Sequence, residues 1–314
     1  MDHPDGFDYL LRPRLESEYR FGFIGVAHDA ATTLGNPGAR FAPAALRQAL
    51  KGIFDWRLNN HRLADIETGV IDLSNVEVVD FGDVALSYHE ADLTVEETCG
   101  QVSKVLDSGC FPLVVGGDHG VTFPAVKALH ASTREPIGLI QLDAHCDLMN
   151  FSQRQGHYSG SSGMRRCLEL DRLSGGNLVQ IGLRGYTSVE QYQLGNELGL
   201  RRITAADFNE QGPVRSAERA LAWAGEGTGA IYLSVDMDVV DPGEAPGTGW
   251  PEPGGLNGQQ LIDFVRLVSP HISAMDITEL NPVFDTQART TAVLAARLLL
   301  DCITSRVNQT QTVS

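Results

Sequence analysis

Eight short apolar runs rich in Val, Ile and Leu punctuate the chain, at residues 21–27, 76–81, 111–115, 137–143, 178–183, 200–203, 231–235 and 272–277. They are continuous rather than alternating, the pattern of strands covered on both faces and hence of a parallel sheet. Between them lie longer stretches of helical composition at 44–50, 95–106, 123–129, 188–197, 214–222 and 258–268. Pro43 stands where a first helical turn tolerates it. An Ala- and Leu-rich stretch, about 286–306, predicts a long last helix. The alternation predicts an α/β fold, three layers deep (α/β/α), around a mainly parallel sheet of about eight strands. No compositional shift marks a linker, so residues 21–306 are expected to form a single domain. The polar, patternless residues 1–20 are expected to be an N-terminal arm, and 307–314 a flexible tail.

The ends of these apolar runs carry the candidate chemistry. Gly116-Gly117-Asp118-His119 follows one run, Asp143-Ala144-His145-Cys146-Asp147 ends another, and Ser234-Val235-Asp236-Met237-Asp238 ends a third. In an extended strand, alternate residues share a face, so Asp143, His145 and Asp147 are expected to point one way, as are Asp236 and Asp238. Asp118 is expected on the alternate face, in a supporting role. His119, Asp143, His145, Asp147, Asp236 and Asp238 together offer six O/N donors. That is too many for one catalytic zinc, which takes three protein ligands. Four carboxylates balance two divalent ions, and a water held between such ions is acidified enough to act as a nucleophile. Uncompensated, the same charges would strongly destabilise a fold. Oxygen donors plus imidazole, with no thiolate, favour manganese, with nickel, cobalt and iron as alternatives. In open α/β sheets, ligands bind beyond the carboxyl ends of the strands, where these residues and Glu279 stand.

Composition removes several other classes. No run approaches 18 apolar residues, so no membrane-spanning helix is expected. The opening Met-Asp-His-Pro-Asp-Gly lacks the basic-then-apolar order of a signal peptide. Five scattered Cys without paired spacing fit a reducing cytoplasm, with Cys110 and Cys146 as small buried hydrophobes. The net charge of −16 argues against nucleic acid and anionic membrane as partners and is compatible with a small cationic substrate.

These motifs, with Asn36–Pro43, Asp80–Asp83, Gly182–Gly185, Ala245–Gly249, Pro251–Gly255 and Asp276–Pro282, resemble the ureohydrolase family of arginase, agmatinase, guanidinobutyrase and formimidoylglutamase. The resemblance spans roughly residues 20–305. It implies an arginase-like fold, a homotrimer or homohexamer, and hydrolysis of a guanidino compound of the agmatine, guanidino acid or guanidine type. The products would be urea and an amine or ammonia. It further implies that His119, Asp143, Asp147 and Asp236 hold one ion and Asp143, His145, Asp236 and Asp238 the other. Glu279 would then grip the planar cation, which carboxylates bind in bidentate fashion.

Two departures bear on substrate and proton transfer. Guanidino-hydrolysing relatives carry a His-Gly pair shortly before an Arg-Arg that opens a helix. Counting back from Arg165-Arg166 puts Gly160 there, with His157 three residues earlier as a candidate proton shuttle. Formimidoylglutamases have small residues at this place, which makes release of formamide the alternative reading. The loop Gly247-Thr248-Gly249-Trp250-Pro251-Glu252 instead favours the guanidino branch, and places Thr248 and Trp250 as candidate substrate contacts. Trp250 stands where relatives have a small Thr, and would narrow the pocket or stack on a cation. The acidic α-amino clamp of arginase is absent after Gly182-Leu183-Arg184. A single-zinc deacetylase of related fold would not need Asp147 or Asp238. A non-catalytic metal-binding relative would be expected to have lost a ligand, and all six donors are present.

Overall fold

The computed structural model describes residues 17–30, 36–87 and 90–311. In chain order the elements are β1 (Tyr19–Gly25), α1 (Ala42–Arg57), β2 (Arg62–Asp65), β3 (Gly69–Asp72), β4 (Val76–Asp83), α2 (Ala91–Asp107) and β5 (Phe111–Val115). There follow α3 (Thr122–Ser132), β6 (Ile137–Leu142), α4 (Gly163–Cys167), β7 (Leu178–Ile181), α5 (Val189–Glu197) and β8 (Arg201–Ile203). The chain continues through α6 (Ala205–Ala224), β9 (Ala230–Asp236), α7 (Gly258–Val268), β10 (Ala274–Thr278) and α8 (Thr290–Gln311).

Eight strands form one parallel sheet in the order β4-β1-β5-β10-β9-β6-β7-β8. All eight expected runs supply a strand. The central strands β5, β6 and β10 are buried at every residue, which explains their unbroken apolarity. The chain first lays down the two flanks, then inserts β9 and β10 between them. Two apolar layers enclose the sheet. On one face α1, α6, α7 and α8 bury Leu46, Phe208, Phe264 and Leu299. On the other, α2, α3 and α4 bury Val102, Val126 and Met164. This is the three-layer architecture expected, and each layer removes one strand face from water.

The elements differ from expectation in three places. Short β2 and β3 pair antiparallel, outside the main sheet. Asp65 Oδ1 accepts from the backbone N–H of Glu67 and Thr68 and closes their turn, a local signal that mostly polar flanks obscure. α6 begins at Ala205, nine residues before the expected 214. Thr204 and Asp207 form a capping box there, and the helix then kinks at Gly212-Pro213. α8 runs on to Gln311, and Val307, assigned to the flexible tail, is buried. Residues 1–16 of the expected arm and 312–314 of the tail lie outside the described residues. Among the described residues no helix is long and apolar enough to cross a membrane.

Candidate active site

The site lies beyond the carboxyl ends of β5, β10, β9 and β6, four neighbours at the centre of the sheet. After β5 the chain passes close under another segment. A Cβ on Gly117 would fall 1.5 Å from the carbonyl oxygen of His28, so only glycine fits. Asp118 then caps a short 3-10 turn by accepting from Gly120 N–H at 3.1 Å, and its other oxygen faces His28 Nδ1 at 3.6 Å. The turn aims the His119 ring inward.

The two Asp-rich motifs converge by turns rather than by strand alternation. β6 ends at Leu142, so Asp143–Asp147 is not extended. Asp143 Oδ1 accepts from His145 N–H at 2.5 Å, folding the chain back, and Asp147 takes a left-handed φ of 52°. Asp236 ends β9, and its Oδ1 accepts from Asp238 N–H at 2.8 Å at the start of a 3-10 turn. Asp side chains favour such turns because they bond the backbone two residues on. The outcome is the convergence expected, reached by another route.

All six predicted donors meet. His119 Nδ1 lies 2.9 Å from Asp143, 2.8 Å from Asp147 and 3.2 Å from Asp236. His145 Nδ1 lies 3.0 Å from Asp238 and 3.5 Å from Asp143. Two groups of potential metal ligands emerge, His119–Asp143–Asp236 and Asp143–His145–Asp238, sharing Asp143. Asp147 joins the first through His119.

Two observations test whether cations fit. His119 Nδ1 is buried and makes no well-directed hydrogen bond, despite three carboxylate oxygens around it. The other ring nitrogen, Nε2, bonds Ser234 Oγ at 2.9 Å. Ser234 Oγ donates onward to Asp276 at 2.7 Å and so accepts from Nε2–H. That fixes the tautomer and leaves Nδ1 as the ligating atom. The second observation is the charge. Asp143, Asp147, Asp236 and Asp238 are all buried, and no Arg or Lys pairs with them among the described residues. Protons compensate in their stead. Burial and the charge of Asp143 push Asp147 up to about 7. Burial and the charges of Asp238 and Asp143 raise Asp236 well above the carboxylate range. Burial opposes charging of the two imidazoles, but the surrounding carboxylates outweigh it, holding His145 at about 12 and His119 well above its ordinary value. A divalent cation displaces such protons and satisfies the same groups, so the residues fit a metal pair.

Glu279 follows β10 with φ 56°. Its N–H donates to Gly117 carbonyl at 2.9 Å, and its Oε1 accepts from His119 N–H at 2.9 Å. The carboxylate thus joins the metal-ligand turn rather than Arg184 or Arg289. Burial, then the charge of Asp118, raises its pKa well above the ordinary value, so it gains strongly from a cationic partner. Gly160 and Gly249 flank it. A Cβ on either would approach its oxygens to 3.2 and 3.4 Å.

Glu279 and the six donors other than Asp143 line or border a cavity of about 900 Å³. Trp250 lines it too, edge-on to His145 with ring centroids 6.4 Å apart. Thr248 is buried and absent from the lining. His157 is also absent. Its ring is bonded to Arg166 and packs edge-on against Tyr158, because the loop turns it away from the cavity. Gly160 and Ser161 line the wall instead. The sequence reading missed Arg154 and Arg202, which also line the cavity. Neither sits in a recognisable motif.

A family model described as the Arginase family matches residues 19–304. The chain belongs to the Arginase family. It is 32% identical to the mitochondrial guanidino acid hydrolase of Homo sapiens, over 90% of this chain and 76% of that protein. It is 33% identical to the guanidinobutyrase of Pseudomonas aeruginosa, over 90% and 84% respectively. Among solved structures, the formimidoylglutamase of Bacillus subtilis aligns with a TM-score of 0.80 at 27% identity, covering 92% of this chain and 88% of that one. The fold and the ureohydrolase resemblance therefore agree. The relatives' names divide between guanidino and formimidoyl substrates, as the loops at Gly160 and Gly249 do.

Proposed function

We propose that this protein hydrolyses the C–N bond of a guanidino acid, releasing urea and an amino acid, with two divalent ions, manganese foremost, at the His119–Asp238 cluster. The observation that carries the reading is Glu279, a half-buried carboxylate beside that cluster and flanked by two glycines. When bound, the metal pair lowers the pKa of a coordinated water and supplies the nucleophile at neutral pH. The chain's own residues do the rest. Glu279 orients the guanidinium in its plane, and the space above Gly160 and Gly249 admits it. Trp250 closes the His145 side.

Charge in the rest of the cavity supports an acid rather than an amine at the far end of the substrate. Every carboxylate lining the cavity lies in the metal cluster or is Glu279. The lining also carries three arginines, Arg154, Arg202 and Arg184, the last bonded to backbone carbonyls. The Arg202 guanidinium donates to Asn196 Oδ1 at 2.9 Å and lies over the Tyr192 ring, with no carboxylate partner among the described residues. It belongs to β8, two strands beyond β6, so about 10 Å separates it from the metal strand. An ω-guanidino carboxylate spans such a gap, whereas the terminal ammonium of agmatine would face the Arg202 cation.

Formimidoylglutamate hydrolysis is the second reading, favoured by Gly160 at the wall. His119 and His145 are the cavity's only histidines among the described residues, leaving no separate imidazole to protonate a leaving amine. The test is a screen of manganese-loaded protein for urea from 4-guanidinobutyrate and agmatine, and for formamide from formimidoylglutamate. Urea from the acid, with Arg202→Met lowering its kcat/KM at least tenfold and agmatine's unchanged, is the expected result. Formamide alone selects the second reading. Neither product from any of the three overturns both.

A further inference from the structure

Five polar residues stand side by side across the middle of the sheet. Asp276 of β10 is in register with Ser234 of β9, Ser234 with Gln141 of β6, Gln141 with Gln180 of β7, and Gln180 with Arg202 of β8. Register partners project from one face of a sheet. The first four are completely buried, in strands whose other residues are mostly apolar. A polar row through an apolar layer lowers stability unless every member is bonded. Its persistence here calls for a function.

The bonds say what that function is. Gln141 Nε2 donates to Asp143 Oδ2 at 2.6 Å and to the His145 carbonyl at 3.3 Å. Gln180 Nε2 donates to Gln141 Oε1 at 2.7 Å and to the Cys146 carbonyl at 2.8 Å. Asp143 is the carboxylate shared by both ligand groups. Its Oδ2 faces His119, and its Oδ1 faces His145 and accepts from that residue's N–H. Gln141 therefore fixes the rotation of the one side chain on which both groups depend. Gln180 holds Gln141 and pins the turn that carries His145. An amide suits this role because it donates without neutralising, leaving the whole negative charge for cations. A Lys or Arg at 141 would compete with them.

We infer that Gln141 is a positioning residue for the shared metal ligand Asp143, and that Gln180 acts through it. The inference rests on the metal reading above and is independent of the substrate. The measurement is Mn²⁺ affinity, from the loss of the free aquo-Mn²⁺ resonance on titration, alongside thermal melting of the metal-free protein. Wild type should bind two ions. Gln141→Leu should weaken binding about tenfold or more, the range for residues that orient ligands. Gln180→Met should do so by less. In the double variant, Gln180→Met should cost less than it does alone, since part of its effect on the metal passes through Gln141. Gln141→His, whose Nε2–H reaches about as far, should restore most of the affinity. Wild-type Mn²⁺ affinity in folded Gln141→Leu, or in Gln180→Met should Gln141→Leu not fold, would overturn the inference. So would fully additive losses. Failure of the wild type to bind any Mn²⁺ would instead sink the metal reading itself.

Discussion

Two acidic clusters in this molecule are built on opposite terms. In one, Asp65 of β2, Glu67 and Asp301 of α8 enclose two arginines. Arg266 reaches all three carboxylates at 2.7–3.1 Å, and Arg297 reaches Asp65 and Asp301 at 2.6 and 2.8 Å. The cluster ties the β2–β3 hairpin to α7 and α8. In the other, Asp143, Asp147, Asp236, Asp238 and Glu279 crowd together with two imidazoles and no Arg or Lys partner among the described residues. Matched charges hold elements together. Unmatched buried charges raise the energy of the protein that holds them and lower it when a cation arrives. That difference, rather than acidity as such, separates a binding site from a brace.

The sharpest way to break the contrast is Asp236→Asn. The amide keeps the shape and removes a charge whose ionised form burial disfavours. Bound metal should fall from two ions to one or none. Lewis-acid assistance amounts to several kcal/mol, so activity should drop about a thousandfold. Metal-free stability should hold or rise. Elemental analysis and melting in chelator check both. An apo-protein melting several degrees lower would mean that the site carboxylates brace the fold after all. Asp143→Ala should lose both ions, since Asp143 is common to both groups.

Glu279→Gln tests the site at its substrate end. The ions should remain, because Glu279 belongs to neither ligand group. Loss of the charged partner of a desolvated cation costs about 2–4 kcal/mol in kcat/KM. Steady-state kinetics with the substrate identified by the urea screen gives the number. A near-normal kcat/KM would reduce Glu279 to a support for the His119 turn.

Much of this was legible in the sequence, for identifiable reasons. Strands buried on both faces read as unbroken apolar runs, so all eight could be found. Donor chemistry at strand ends singled out the six candidate ligands, because three such motifs together, without compensating charge, would strongly destabilise a fold that held no cation. Their geometry was not legible. Strand alternation would have aligned Asp143, His145 and Asp147, but the chain leaves β6 at Leu142 and turns on an Asp143 side-chain bond. Whether His157 or Gly160 met the cavity depended on the path of a loop, which local composition does not encode. Gln141 and Gln180 belong to none of the motifs in the sequence. Only the register of β6, β7 and β9 places them under Asp143, and register is a property of the assembled sheet.

The smallest effect belongs to the matched cluster, and pH gives it a sign. Burial raises the Asp65 carboxyl, but the N–H groups of Glu67 and Thr68, then Arg266 and Arg297, outweigh it, so its pKa lies below the ordinary value. A depressed carboxyl stabilises the fold above its unfolded pKa, about 3.9, and that contribution is lost as pH falls through the folded value. Asp65→Asn should therefore lower stability at pH 7 by about 1 kcal/mol, roughly 2 °C in Tm for a domain of this size. The deficit should be unchanged at pH 5.5 and close only in stronger acid. Asp147 of the unmatched cluster behaves in the opposite sense. Asp147, raised to about 7, is a carboxyl whose charged form burial disfavours. Metal-free protein should thus gain stability from it as pH falls from 8 towards 4. Melting curves in chelator at pH 8, 7 and 5.5 separate the two. If the Asp65→Asn deficit changes between pH 7 and 5.5, its carboxyl is not held low by its partners. The division between matched and unmatched clusters then fails on the matched side.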